Sequence, residues 1–248
     1  MGAKYMINGV TKYTGTWGDI GTTSFYPAHH MTMGEGGCVY TDNPLLNRLI
    51  LSFRDWGRDC ICPSGYDNLC GHRFDGQHGE LPEGYDHKYV YSHFGYNLKV
   101  TDIQAAIGCE QLNKLPGFIN KRNENWKRLT DDLKPAADKL ILPEPAENSV
   151  PSWFGYVISI RPGMGINRNK VTHYLEEHGV QTRLVFSGNL IKHPCFDQIR
   201  ETNKYKVIGA LKNTDFVMNN TFWIGTYPGM TDEMLDYMAK MIIEAVNQ

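Results

Sequence analysis

Three groups of residues in this 248-residue chain carry side chains able to do chemistry. The first is the stretch SFYPAHHMTMGEGG, which places Ser24 and the pair His29–His30 ahead of the glycine-rich turn Gly34 to Gly37. Imidazoles ordinarily titrate near pH 6.5, so a loop histidine suits proton transfer at neutral pH. A serine hydroxyl at a strand end suits an anionic oxygen. Taken alone, a His-His pair in a loop is also an ordinary surface or packing feature. The second group is Cys60-x-Cys62-x7-Cys70. That spacing differs from the C-x2-C hairpins usual in structural zinc sites. Thiolates converging in one loop suit iron, but a [2Fe–2S] cluster takes four ligands and this loop supplies three. Zinc and a redox-inert loop remain alternative readings. The third is GVQTRLVFSGNL, with Arg183 and Asn189. The planar fork of arginine pairs with two oxygens at once, whereas a surface arginine at a strand end is the plainer reading.

Composition sets bounds on what these groups serve. The chain is 41% hydrophobic, long enough for a real core and for two packing units. Twenty-five Lys and Arg against 27 Asp and Glu give a formal charge of -2, so charge offers no support for nucleic-acid binding. No run of about 18 apolar residues suggests a membrane span, and the N-terminus lacks the apolar core of a secretory signal. A cytoplasmic protein is expected. Six cysteines are too sparse for a disulfide scaffold. Cys38, Cys109 and Cys195 read as small apolar core side chains.

The elements that must position these groups are partly legible. Residues 20–42 alternate short β-prone stretches with glycine turns, and Leu45, Leu46, Leu49, Ile50 and Phe53 follow at helical spacing. From Cys60 to about His93 the chain has little periodicity, which predicts a long functional loop. Thr101-Asp-Ile-Gln104 is a capping box. Ile103, Ala106, Ile107, Glu110 and Leu112 then form a mostly apolar helical face, expected to stop at Pro116, with a second helix through Trp126 and Leu133. The proline-rich segment after it sets the expected domains at 1–134 and 135–248. YVISI, NKVTHYLEEHG, VQTRLVF, TFWIGTY and DEMLDYMAKMIIEAV predict a small α+β unit. Trp223 and Tyr227, in the last strand region, read as packing residues. The first residues enter strand-and-turn material with no preceding element to pair with, so the chain reads as N-terminally truncated.

SFYPAHHMTMGEGG is similar to the SFxPxKxxxxGxGG signature of the DegT/DnrJ/EryC1/StrS nucleotide-sugar aminotransferase family, a branch of the fold type I pyridoxal-phosphate enzymes. His29 stands where that signature has its cofactor lysine. FGYNLKVTDIQAAIGCEQL resembles the family's GYN-x3-TDIQAAIG segment, and GVQTRLVFSGNL its dehydratase pattern GVQTRxxFxGN. The histidine and the C-x-C-x7-C loop, at the same interval, resemble the iron–sulfur 3-dehydratases that act on CDP-4-dehydro-6-deoxyglucose.

The resemblance implies an α/β fold of the fold type I PLP-dependent transferase kind, here the C-terminal part of the large domain plus a small α+β domain. It implies a cofactor bound without a covalent tether, since imidazole cannot replace a primary amine in holding an aldehyde. The expected form is pyridoxamine 5'-phosphate, related to pyridoxal 5'-phosphate. His29 is then the base at the cofactor C4′, Ser24 a donor to the cofactor phosphate, and Asn97 a residue that reaches the neighbouring subunit's phosphate in a homodimer. Arg183 and Asn189 bind the CDP-sugar. Cys60, Cys62 and Cys70 hold a [2Fe–2S] cluster with a further cysteine upstream, in a C-D-A-L-G stretch whose glycine matches Gly2. A separate NADH-dependent flavin/iron–sulfur reductase supplies the electrons. The implied reaction is dehydration at C3 of a nucleotide-linked 4-keto-6-deoxyhexose in 3,6-dideoxysugar and lipopolysaccharide O-antigen biosynthesis. The rivals are a sugar aminotransferase, a cluster-free dehydratase that recycles its cofactor with glutamate, and a non-catalytic iron–sulfur or zinc module. The portion that stacks on the cofactor ring and pairs with its nitrogen lies outside the matched segments, so the fragment alone is expected to bind cofactor weakly.

Overall fold

The computed structural model describes residues 1–248, which divide into two compact units, Ala3–Leu115 with Met1 and Pro116–Gln248 with Gly2. The division falls inside a helix, upstream of the proline-rich segment that composition pointed to. No helix is long and apolar enough to cross a membrane.

In the first unit, β1 (Lys4–Ile7) and β2 (Val10–Tyr13) form an antiparallel hairpin around Asn8 and Gly9. Both turn residues have positive φ, 50° and 78°, as a two-residue Asn-Gly hairpin turn requires. The N-terminal strand finds its partner in the strand that follows it. β3 (Gly21–Ser24) and β4 (Gly37–Tyr40) form a second antiparallel ribbon in which Ser24 faces Gly37. Helix α1 (Pro44–Arg54) begins at Asn43, whose side chain accepts from the Leu45 and Leu46 amides, with Pro44 in the first turn. None of its residues is buried, and Leu45 and Phe53 are largely exposed. From Asp55 to Thr101 the chain is irregular apart from a 3-10 turn at His87–Tyr89.

Helix α2 (Asp102–Leu133) runs through Pro116 without a stop, which corrects the expected break. Proline removes one amide donor, here the bond to the Leu112 carbonyl, and the helix-forming residues on both sides carry the remaining ladder. Its expected apolar face is not a core face either: Ile103, Ile107 and Leu112 are exposed.

In the second unit, Leu129 and Leu133 of α2 pack into the main core. Here β5 (Leu140–Ile141), β7 (Gly155–Ile160), β9 (Thr221–Gly225) and β8 (Thr182–Leu184) form an antiparallel sheet in that order, and β6 (Ser149–Val150) precedes β7. Alternation along β7 buries Tyr156, Ile158 and Ile160. Helices α3 (Arg168–Glu177) and α5 (Asp232–Ala245) add Val171, Leu175, Leu235 and Ile242. Burying each such side chain fully contributes about 1.5–3 kcal/mol. Helix α4 (Lys212–Asn220) is an element the sequence did not announce.

Cys38, Cys109 and Cys195 are all exposed, which corrects their reading as core residues. Cys38 illustrates the cause, since β4 belongs to a two-stranded ribbon and not to a layered sheet.

Candidate functional site

The loop between β3 and β4 carries His29 and is tied at several points. The Phe25 amide bonds the Gly36 carbonyl at 2.9 Å, the Met33 amide bonds the Phe25 carbonyl at 3.1 Å, and the His29 amide bonds the Tyr26 carbonyl at 2.9 Å. His29 Nδ1 stands 3.3 Å from the Ser24 carbonyl oxygen. A carbonyl only accepts, so Nδ1 donates in this contact and Nε2 is the basic nitrogen. Ser24 Oγ accepts from the Tyr26 amide at 3.3 Å, which directs its own O–H elsewhere. The Tyr26 ring meets the His29 ring edge-on at 5.6 Å, and His30 is buried beside it in sequence.

The start of α2 fastens this loop. Thr101 and Gln104 make the reciprocal capping box, with the Thr101 amide bonding Gln104 Oε1 at 3.1 Å and the Gln104 amide bonding Thr101 Oγ1 at 3.4 Å. Gln104 Nε2 also reaches the Glu35 carbonyl at 3.0 Å, so one side chain caps the helix and holds the glycine turn. A Cβ on Gly108 would stand 2.9 Å from Met33 Cγ, which shows how closely the helix and loop approach. Thr101→Ala should lower stability by about 0.5–2 kcal/mol, read as a shift in the urea midpoint at unchanged slope.

Asn97 is exposed and is placed by the turn after α1. The Trp56 amide bonds the Tyr96 carbonyl at 2.8 Å, the Leu98 amide bonds the Arg54 carbonyl at 3.1 Å, and Asp55 and Asn97 form an isolated antiparallel bridge. Trp56 and Gly57 both have positive φ. A Cβ on Gly57 would stand 1.9 Å from the His93 carbonyl oxygen, so this position admits only glycine.

The same turn launches the cysteine loop. Arg58 lies against three rings, 4.5 Å from Trp56, 5.5 Å from Tyr89 and 5.7 Å from Tyr91. Cys60, Cys62 and Cys70 line one pocket with Arg73, His87 and Lys88. The Leu69 amide points at Cys62 Sγ and the His72 amide at Cys70 Sγ, each at 3.4 Å. His87 Nδ1 lies 3.9 Å from Cys70 Sγ while its Nε2 contacts Asp59 Oδ2 at 3.2 Å. Burial, with the neighbouring Cys62 and Cys70, pushes the Cys60 thiol up. Arg73 clamps Asp86 with a fork of hydrogen bonds, and Lys88 pairs with Asp67; both carboxyls are held below their usual range by these partners. No set of three or more His, Cys, Asp or Glu side chains stands at metal-ligating spacing. Backbone N–H groups aimed at two of the thiols fit a cluster's donor set; the count of three and the spacing leave that set incomplete.

Arg183 and Asn189 belong to the second unit. Arg183 is exposed on β8, opposite Trp223 in register, and its guanidinium bonds the Thr182 carbonyl at 2.7 Å. Trp223 packs against Phe154 at 5.3 Å, and Tyr227 is half exposed. Asn189 is buried, and its amide donates to Asp215 Oδ1 at 2.7 Å, where Lys192 also lies at 2.8 Å. That contact orders the loop around Asn189.

The profile of the DegT/DnrJ/EryC1/StrS aminotransferase family matches residues 1–243. The chain belongs to this family. It is 54% identical over 230 residues to the lipopolysaccharide biosynthesis protein RfbH of Salmonella typhimurium, covering 93% of the chain and 52% of that protein. It is 50% identical over 235 residues to the dTDP-4-dehydro-2,6-dideoxy-D-glucose 3-dehydratase of Saccharopolyspora spinosa, covering 95% of the chain and 50% of the relative. The chain thus spans about half the length of the curated relatives it matches. Among solved structures, a GDP-4-keto-6-deoxymannose-3-dehydratase with a trapped PLP-glutamate geminal diamine superimposes with a TM-score of 0.77 at 27% identity, over 96% of the chain and 57% of that structure. The fold is that of the PLP-dependent aminotransferases and dehydratases, as the signature implied.

For a member of this family the donor set can be weighed against the cofactor. Ser24 offers a hydroxyl at an open strand end, and Gly37 opposite it leaves no room for a side chain, since a Cβ there would stand 2.9 Å from the Thr23 carbonyl. His29 offers a basic nitrogen and no primary amine. These groups fit a phosphorylated pyridoxamine held without a covalent bond. The Gln104–Glu35 tie and the Arg58 ring stack were missed from sequence. A capping box announces the first partner of Gln104 only, and the stack joins residues more than thirty positions apart.

Proposed function

We propose that this chain is part of a pyridoxamine phosphate-dependent 3-dehydratase. Its substrate is a nucleotide-linked 4-keto-6-deoxyhexose, CDP-4-dehydro-6-deoxyglucose, and its setting is cytoplasmic 3,6-dideoxysugar and lipopolysaccharide O-antigen biosynthesis. The observation that carries the reading is His29 in the hairpin loop, its Nδ1 held on the Ser24 carbonyl, where the family signature has a tethering lysine. The high identity to a lipopolysaccharide biosynthesis protein and to a named 3-dehydratase supports it.

When bound, the cofactor supplies an amine that condenses with the C4 ketone and a ring that accepts an electron pair. With the cofactor in place, His29 Nε2 would be the base for the proton at C4′, and the electron pair so released would serve to expel the hydroxyl at sugar C3. Ser24 donates to the cofactor phosphate, and Asn97 donates to that of the neighbouring subunit in a homodimer. The exposed apolar residues of α1 supply surface for such a partner. Arg183 pairs with diphosphate oxygens of the substrate, and Asn189, through Asp215, holds the loop beside the sugar. Incubation of the assembled enzyme with pyridoxamine phosphate, substrate and glutamate should leave C4 a carbonyl. A 4-amino sugar among the products would contradict the proposal and favour the aminotransferase.

Cys60, Cys62 and Cys70 are proposed as three ligands of a [2Fe–2S] cluster that passes single electrons from an NADH-dependent flavin/iron–sulfur reductase. What supports this is their gathering in one pocket under backbone N–H donors. Metal analysis of the assembled enzyme should give about two irons with acid-labile sulfide per subunit. One zinc without sulfide would sink the cluster, and turnover sustained by glutamate without a reductase would assign the cluster-free route.

A further inference from the structure

Asn97 Oδ1 stands 2.9 Å from Lys99 Nζ. An ammonium has donors and no acceptor, so the atom it faces is the amide oxygen. That contact resolves the two-fold ambiguity an asparagine side chain otherwise carries, and it turns the Asn97 amide nitrogen away from Lys99. Lys99 is itself held from two other sides. Its ammonium lies 3.3 Å from the centre of the Trp56 ring and 3.9 Å from Asp55 Oδ1. Asp55 is fixed in turn by a fork from Arg54, at 2.9 and 3.0 Å, and its carboxyl is held below the usual range chiefly by Arg54, with Lys99 adding to the effect. The backbone bridge between Asp55 and Asn97 closes the arrangement. Arg54, Asp55, Lys99 and Asn97 thus form a chain of contacts that ends in an exposed amide with a positive charge beside it.

We infer that Lys99 is a positioning residue for phosphate recognition: it locks the Asn97 side chain with its NH₂ group presented to an incoming phosphate monoester and adds favourable charge next to it. The inference rests on the reading that Asn97 meets the cofactor phosphate. Neither residue touches the reacting atoms.

The test compares the affinities of the assembled dimeric enzyme for pyridoxamine phosphate and for pyridoxamine, whose ratio isolates recognition of the phosphate. Lys99→Met should lower that ratio by about tenfold or more, as expected for loss of a charge-supported hydrogen bond, while pyridoxamine affinity stays unchanged. Lys99→Arg, which keeps a cationic donor, should keep most of the ratio. Asn97→Ala should lower the ratio as Lys99→Met does. If Asn97→Ala leaves the ratio intact, the underlying reading of Asn97 fails. If Asn97→Ala lowers it and Lys99→Met does not, the role of Lys99 is overturned. Equal loss in Lys99→Met and Lys99→Arg, or a parallel fall in both affinities, would assign Lys99 to packing on Trp56 and overturn it as well.

Discussion

Replacing His29 with asparagine should lower C3 dehydration about 10²–10⁴-fold, the span a positioned general base contributes, with little change in the affinity for pyridoxamine phosphate. Asparagine is the informative substitution because its amide can still donate to the Ser24 carbonyl, the partner of His29 Nδ1 at 3.3 Å, while offering no basic nitrogen. Steady-state turnover and a cofactor titration on the same preparation separate the two effects. His29→Lys extends the argument: a primary amine at this position can hold an aldehyde cofactor covalently, so transamination should appear as dehydration is lost. Dehydration at the wild-type rate in His29→Asn would remove His29 from the chemistry.

Gly57→Ala should be the most damaging single methyl in the first unit. Its φ of +80° disfavours an L side chain by about 1–2 kcal/mol. The added Cβ would also stand 1.9 Å from the His93 carbonyl oxygen, a backbone atom that cannot step aside. Overpacking of that kind adds about 1–3 kcal/mol, for a total of roughly 2–5 kcal/mol. The consequence reaches the site, because this turn holds the Tyr96–Leu98 segment on one side and starts the cysteine loop on the other. Gly65→Ala is the control: its φ is similar, at +81°, but nothing lies within 4 Å of the added carbon. Urea denaturation should rank Gly57→Ala well below Gly65→Ala, with hydrogen exchange accelerated at residues 56–58 and 93–98. Equal stability for the two variants would refute the role given to the turn.

How much of this was legible in the sequence depends on how local the physics is. The helical spacing of Leu45 to Phe53, the Thr101–Gln104 box and the YVISI segment of the small unit are signals spread over a few residues, and the structure shows each as expected. The role proposed for His29 rests on a different kind of signal, because one residue type departs from an otherwise matching signature and the departure changes what chemistry is possible. Signals failed where a non-local term outweighed a local one. Pro116 reads as a helix end, yet α2 continues because one lost amide donor is a small part of a 32-residue ladder. Helix α4 escaped notice because its cap, Leu211, has a left-handed φ of 49° and makes no side-chain capping bond. The lock of Lys99 on Asn97 depends on the Trp56 ring, and nothing in GYNLK announces that partner. The contact of the Asn189 amide with Asp215, twenty-six residues further along the chain, is likewise one that the local pattern does not announce.

The most direct test of the account is exchange of the C3 oxygen with solvent. Reversible departure of the C3 hydroxyl needs the base and pyridoxamine phosphate and no external reductant, so it isolates the step assigned to His29. The assembled enzyme, loaded with pyridoxamine phosphate and incubated with CDP-4-dehydro-6-deoxyglucose in oxygen-18 water, should place the label at C3. The carbon-13 isotope shift at that carbon distinguishes it from the C4 carbonyl, which exchanges on its own. The label should be absent from C3 in His29→Asn and in reactions without cofactor. Unlabelled C3 in the wild-type reaction, or labelling that persists in His29→Asn, would contradict the central claim.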